Sequence, residues 1–168
     1  NIAYAEEGYG LGLSEKDWVY PNSSSWGGNY SPQNQITKDN VDQLELKWLF
    51  PTHSKRVAPE AIRSANIASG VFTPPIVKDG RVFLATNYNR LYAIDAKTGR
   101  QLWFWDYDII DYEEELSRLP LVPWSARFHG IRYWDKEDVI LVNGFVCDFM
   151  AIDAETGTMK WRVKDTCL

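Results

Sequence analysis

An internal repeat limits what this chain can fold into more than any other feature. Residues 93–103 read AIDAKTGRQLW and residues 151–161 read AIDAETGTMKW, 58 positions apart, with seven of the eleven positions identical. Each copy follows two runs rich in Val, Ile, Leu and Phe, the residues that suit a pleated, half-buried surface. The runs are Arg81 to Ala85 then Leu91 to Ile94 before the first turn, and Val139 to Val142 then Phe149 to Ile152 before the second. The shared Asp95 and Asp153 can accept hydrogen bonds from backbone N–H groups two residues on, as turn aspartates do. Gly99 and Gly157 stand where closing a hairpin needs a positive φ. A last strand then carries Trp103 and Trp161. The repeat core is thus Ala93, Asp95, Thr98, Gly99 and Trp103, matched by Ala151, Asp153, Thr156, Gly157 and Trp161.

Such a unit is a small antiparallel sheet that cannot bury both faces alone and must stack on its neighbours. All-β repeats of this length point to a β-propeller rather than a helical solenoid. A single D-x-x-T-G is only a common hairpin turn; two in register, each with Trp four residues after the Gly, are a repeat. The eight tryptophans among 168 residues fit a fold that calls repeatedly for a large flat side chain. The chain therefore divides into an N-terminal segment, 1–52, with a short helix and an opening strand, and two tandem repeats over 53–168. In the first part Thr37 is placed to cap a helical turn with Val41 and Leu44 facing inward, and Leu44, Leu46, Trp48 and Phe50 alternate as a half-buried strand. Trp103 and Trp161 are expected to be buried, each beside the Ala and Gly of an adjacent repeat.

Charge narrows the partners. The net charge is −5, with no Lys/Arg cluster or basic–aromatic stripe, so nucleic acid is not an expected partner. No apolar run reaches the roughly 18 residues that span a bilayer, and no signal peptide is expected in this stretch. The chain begins at Asn1 rather than Met, which suggests processing or truncation. Cys147 and Cys167 can pair or stay free; two cysteines do not fix the redox compartment.

The repeat A-x-D-x-x-T-G-x-x-x-W resembles the tryptophan-docking repeat of the pyrroloquinoline-quinone (PQQ) quinoproteins, in which the Trp of one blade packs on the repeat of the next. The opening segment is similar as well: Trp18, Tyr20, Asn29-Tyr30-Ser31-Pro32, Gln35-Ile36, Asn40-Val41, Leu44 and Trp48 resemble the start of PQQ alcohol and glucose dehydrogenases. Thr73-Pro74-Pro75-Ile76-Val77-Lys78-Asp79-Gly80 resembles the family's lead into its first full blade, and His129-Gly130-Ile131-Arg132-Tyr133-Trp134 the segment opening the next. The resemblance covers roughly residues 17–161 and implies about two four-stranded blades plus an N-terminal segment of an eight-bladed disc carrying PQQ and calcium on its axis.

By that resemblance the metal ligands and catalytic base lie in later blades, so no catalytic residue and no metal ligand is assigned here, and calcium would be held outside this chain. The cofactor wall does fall partly within it. Phe72 stands where alcohol-oxidising members carry Glu. Across Pro123-Trp124-Ser125-Ala126-Arg127-Phe128-His129-Gly130 the family's adjacent cysteines are absent, and His129 replaces its Arg. PQQ is flat and carries three carboxylates, so it needs aromatic packing and cationic or N–H donors. Trp124 offers the face, and Arg127 and His129 the donors. The resemblance implies the N-terminal part of a periplasmic or otherwise extracytoplasmic oxidoreductase, inactive as this piece alone. It would oxidise an alcohol or sugar and pass electrons to a cytochrome c or quinone, with the remaining blades or other chains covering the open blade faces. The missing cysteines and Glu keep a second reading open: a non-catalytic PQQ-like propeller scaffold of the outer-membrane assembly type.

Overall fold

The computed structural model describes residues 17–20, 31, 33–52, 71, 73–86, 90–107, 130–144, 148–164 and 166. Within them the protein is all-β, with two four-stranded antiparallel sheets. The first holds β1 (Ile76–Lys78), β2 (Arg81–Ala85), β3 (Arg90–Asp95) and β4 (Gln101–Asp106), in that order. The second holds β5 (Ile131–Trp134), β6 (Val139–Asn143), β7 (Phe149–Asp153) and β8 (Met159–Val163), again in chain order. Each sheet is one blade, and the two follow one plan.

Turn chemistry sets that plan. Asp79 and Gly80 both have positive φ, 48° and 72°, so Lys78 and Arg81 pair across a two-residue turn of the kind that matches strand twist. The longer turn after β3 carries the repeat. Asp95 Oδ1 accepts hydrogen bonds from Lys97 N (3.1 Å), Thr98 N (2.7 Å) and Thr98 Oγ1 (2.7 Å). Asp153 Oδ1 does the same for Glu155 N (3.1 Å), Thr156 N (2.8 Å) and Thr156 Oγ1 (2.9 Å). Gly99 and Gly157 close these turns at φ 72° and 75°. In each copy one Asp oxygen thus accepts from three donors, two of them on the Thr, and Gly supplies the left-handed backbone.

The core lies between the two sheets. Ile76, Phe83, Ala85, Leu91 and Ala93 of the first face Ile131, Ile140, Val142, Met150, Ile152 and Ala154 of the second. Strand alternation produces this: Phe83 pairs with Ala93 and Ala93 with Trp103, so one row of the pleat points into the seam. The Trp103 ring finishes the row. It is 9 % exposed, its Nε1–H donates to Ala154 O at 3.1 Å, and a Cβ placed on Gly157 would sit 2.7 Å from its ring atoms. The glycine is therefore needed for space as well as for φ.

Trp48 repeats this contact one blade earlier. Its Nε1–H donates to Ala96 O at 3.1 Å, and a Cβ on Gly99 would lie 2.6 Å from its ring. Phe50 adds an edge contact to Tyr92, with centroids 5.2 Å apart. The rest of the N-terminal segment departs from the sequence expectation. The helical element is a single 3-10 turn, Val41–Gln43, with Asn40 at its start. Asn40 Oδ1 accepts from Thr37 N at 2.7 Å and Thr37 Oγ1 from Asp39 N at 3.2 Å, so side-chain polar groups organise the turn. Val41, Leu44 and Leu46 are exposed rather than inward-facing. Residues 44–50 form no ladder among the described residues, because alternation buries a face only when a sheet receives it.

Trp161 differs from the expectation too. It is half-buried, and its Nε1–H reaches only Glu137 Oε2, at 3.4 Å. Its strand position equals that of Trp103, but its side of the second sheet meets no further sheet among the described residues.

Candidate functional site

The two ends of the blades differ in character. The hairpin turns share one end, tied by Ala96 N to Gly80 O (2.8 Å) in the first blade and Ala154 N to Asp138 O (2.9 Å) in the second. The opposite end collects the starts of β1, β3, β5 and β7, and is approached by the connections at 86–90, 107–130 and 144–148. The sequence-derived pocket residues lead into this loop end: Phe72 directly precedes Thr73, and Trp124, Arg127 and His129 lead to Gly130. All four lie outside the described residues, as do Cys147 and Cys167.

What the structure describes at this end is a polar framework. Thr73 Oγ1 donates to Ala85 O at 2.8 Å, fixing the lead into β1. Thr86 N donates to Arg90 O at 2.9 Å. The Arg90 guanidinium grips the Asp106 carboxylate through two nitrogens, Nε and Nη2, the latter at 2.9 Å, and donates to Tyr92 Oη at 3.2 Å. Its hydrogen bond to Asp106 raises the Arg90 pKa above its ordinary value and outweighs burial, which lowers it. In the second blade the matching position carries the opposite charge. The Asp148 side chain is 0 % exposed and accepts from Arg162 Nε at 2.6 Å. It also accepts from Tyr107 Oη at 3.1 Å and 3.3 Å, and Tyr107 belongs to the first blade.

On the other face of the second sheet, the one that carries Trp161, a cleft of about 410 Å³ is lined by Gly130, Ile131, Arg132, Leu141, Asn143 and Phe149. Arg132 lies over the Tyr20 ring, 4.7 Å from its centroid, and donates to Tyr20 Oη at 3.2 Å. Residues 17–20 also lie along β1: Trp18 and Val77 exchange backbone hydrogen bonds of 2.7 and 2.8 Å, and Lys78 pairs with Asp17 at 2.8 Å. Among the described residues no three His, Cys, Asp or Glu side chains converge to hold a metal ion.

A family model described as "PQQ: Glucose/ethanol/alcohol dehydrogenase, beta-propeller domain" matches residues 18–162. The chain belongs to that PQQ β-propeller family. The dehydrogenase subunit of the quinone-dependent alcohol dehydrogenase of Gluconobacter oxydans is 25 % identical over 169 residues, covering 96 % of this chain and 20 % of that protein. Methanol dehydrogenase [cytochrome c] subunit 1 of Methylobacterium organophilum is 27 % identical, covering 99 % of this chain and 25 % of its own length. Among solved structures, the quinohemoprotein alcohol dehydrogenase ADHIIG of Pseudomonas putida superposes with a TM-score of 0.66 at 25 % identity, over 90 % of this chain and 19 % of that one. The chain thus spans about a fifth to a quarter of the length of these relatives.

Sequence reasoning missed the framework charges Arg90, Asp106, Asp148 and Arg162. A signal was there. Arg90 and Asp148 each stand three residues before the repeat's Ala, at the head of an otherwise apolar run. A charge at the same position of both copies, with its sign reversed, marks a buried pair, because a strand head of that kind cannot carry a lone charge into a seam.

Proposed function

We propose that this chain is the N-terminal part of a PQQ-dependent dehydrogenase that oxidises an alcohol or sugar and passes electrons to a cytochrome c or quinone. The observation that carries the reading is the family match across both blades, together with alcohol- and methanol-oxidising relatives over nearly the whole chain. The whole protein is an eight-bladed, periplasmic disc in this reading, and these blades form part of the cofactor wall. By donor chemistry the set suits the cofactor: Trp124 and Phe72 would offer it aromatic packing, and Arg127 and His129 would offer donors to its carboxylates. When bound, PQQ takes up the electrons of the substrate's C–H bond; the residues of this chain bind and orient it. Calcium and the catalytic base are supplied by later blades, so residues 1–168 alone are inactive.

The test is a PQQ titration of the full-length protein, followed by quenching of tryptophan fluorescence. Saturable binding that weakens in Trp124→Ala and in Arg127→Ala/His129→Ala supports the reading. Unchanged affinity in these variants moves the cofactor wall elsewhere. No binding at all favours the non-catalytic scaffold.

A further inference from the structure

We propose that residues 17–20 are a clasp that couples the two blades along their free edges, so that β1 and β5 open together. One edge of each sheet is its first strand, β1 in one and β5 in the other, and these two strands approach each other across the seam. An uncovered edge strand leaves a row of backbone N–H and C=O groups without partners. Each of the four residues makes a different attachment. Asp17 accepts from Lys78 Nζ on Oδ2 at 2.8 Å and from Asp79 N on Oδ1 at 3.0 Å, so one carboxylate holds the turn after β1. Trp18 exchanges both backbone hydrogen bonds with Val77, at 2.7 and 2.8 Å, and so covers the edge of β1. Val19 packs against the apolar cluster between the sheets. Tyr20 then leaves the first blade: the Arg132 guanidinium of β5 lies 4.7 Å from its ring centroid and donates to its hydroxyl at 3.2 Å.

Fully extended, four residues reach about 10 Å, the separation at which sheets pack face to face, so a segment this short can touch both edges. Its far end goes further than the seam. Arg132 pairs with Leu141, Leu141 with Ala151 and Ala151 with Trp161, so the Arg132 side chain stands on the face of the second sheet turned away from the first blade. Tyr20 therefore reaches past the edge of β5, and the clasp crosses both free edges rather than resting on one. A second link runs the same way: Lys78, held by Asp17, stands 6.0 Å from the centroid of the Tyr133 ring in β5. Neither link alone is strong. A cation over an aromatic ring at a partly exposed site, or an ion pair there, shifts an equilibrium only a few-fold. Joined through one short segment they act cooperatively, because the segment is ordered once and that ordering serves both blades.

The clasp is independent of what the propeller binds, and its test needs no ligand. Amide hydrogen exchange of the full-length protein is followed at Trp18 and Val77, with the central strand β3 as internal standard. Arg132→Ala removes the anchor in the second blade, while the reporters lie on the first. Tyr20→Ala removes the same contact from the other side, and Tyr20→Phe keeps the ring under the guanidinium. Exchange at Trp18 and Val77 is expected to speed up about three- to tenfold in Arg132→Ala and Tyr20→Ala, the factor set by one cation–ring contact and its hydrogen bond, and by less in Tyr20→Phe. In an Asp17→Ala background, where the other end is already free, Arg132→Ala adds less than about twofold. Exchange of β3 stays as in the wild type throughout, because local opening of an edge is separate from global unfolding. Unchanged exchange at Trp18 and Val77 in Arg132→Ala overturns the proposal. So does an acceleration that β3 shares equally, or full additivity of Asp17→Ala and Arg132→Ala.

Discussion

Replacing Trp103 by Ala tests the stacking of the two blades, and Trp161 in the same chain is its natural comparison. Trp103 is 9 % exposed, rests on Gly157 and donates to Ala154 O at 3.1 Å. Removing such a side chain from a packed seam costs about 3–5 kcal/mol. The upper part of that range applies, because the Ala154 carbonyl is left in a fully buried site without its donor. Trp161 is half-buried, packs on Phe149 with centroids 6.0 Å apart and finds only a long hydrogen bond to Glu137, at 3.4 Å, so its removal costs about 1–2 kcal/mol. Trp103→Phe keeps most of the ring contact and loses the N–H, so it costs about 1–2 kcal/mol, well below Trp103→Ala. Urea denaturation of the 168-residue chain, followed by far-UV circular dichroism, measures all three. Extending the chain by a third repeat should raise the cost of Trp161→Ala to that of Trp103→Ala. Equal costs in the unextended chain, or less than about 1 kcal/mol for Trp103→Ala, would refute the seam as the source of this stability.

Three glycines separate strain from space. Gly80, Gly99 and Gly157 share a φ of 72–75°, but a Cβ meets nothing within 4 Å at Gly80 and an indole ring at the other two. Gly80→Ala should cost about 1 kcal/mol and Gly157→Ala or Gly99→Ala about 2–4 kcal/mol, measured by the same denaturation; equal costs would show that the rings yield. Acid should loosen the repeat turns. Hydrogen bonds from the Thr98 hydroxyl and backbone N–H hold the Asp95 pKa below its ordinary value. At Asp153 burial raises the pKa, but donors led by the Thr156 N–H and hydroxyl outweigh it, and the net shift is again downward. The stabilisation is therefore complete above the unfolded carboxylate value of about 3.9 and is lost as pH falls through the depressed folded values. NMR titration of the carboxyl carbons should show the Asp95 pKa rising toward ordinary in Thr98→Val; an unchanged value would deny the hydroxyl its part.

The blades were legible in the sequence because local chemistry and the global fold agree there. Asp95, Thr98 and Gly99 specify the turn by themselves, and the β-branched runs on either side specify strands of period two. The seam was legible for Trp103 because the acceptor repeat lies 58 residues further on in the same chain. The segment from Thr37 to Phe50 was not. Its alternation of Leu44, Leu46, Trp48 and Phe50 describes a surface, and alternation alone cannot say which sheet receives it. Only Trp48 and Phe50 found one here, on the first blade. The charged framework escaped for a different reason. The partners of Asp148 lie 41 residues before it and 14 after it, so no periodic pattern connects them. Phe72, Trp124, Arg127 and His129 are expected from similarity to the family alone and lie outside the described residues.

The central claim is that these blades belong to a PQQ-dependent, alcohol- or sugar-oxidising protein. Reduction of an artificial electron acceptor by the full-length protein, reconstituted with PQQ and calcium and offered a primary alcohol or glucose, tests it most directly. The account predicts turnover that disappears when PQQ is omitted and is absent from residues 1–168 alone. A full-length protein that binds PQQ and calcium yet oxidises neither class of substrate, or a 168-residue chain that turns over without the remaining blades, would contradict it.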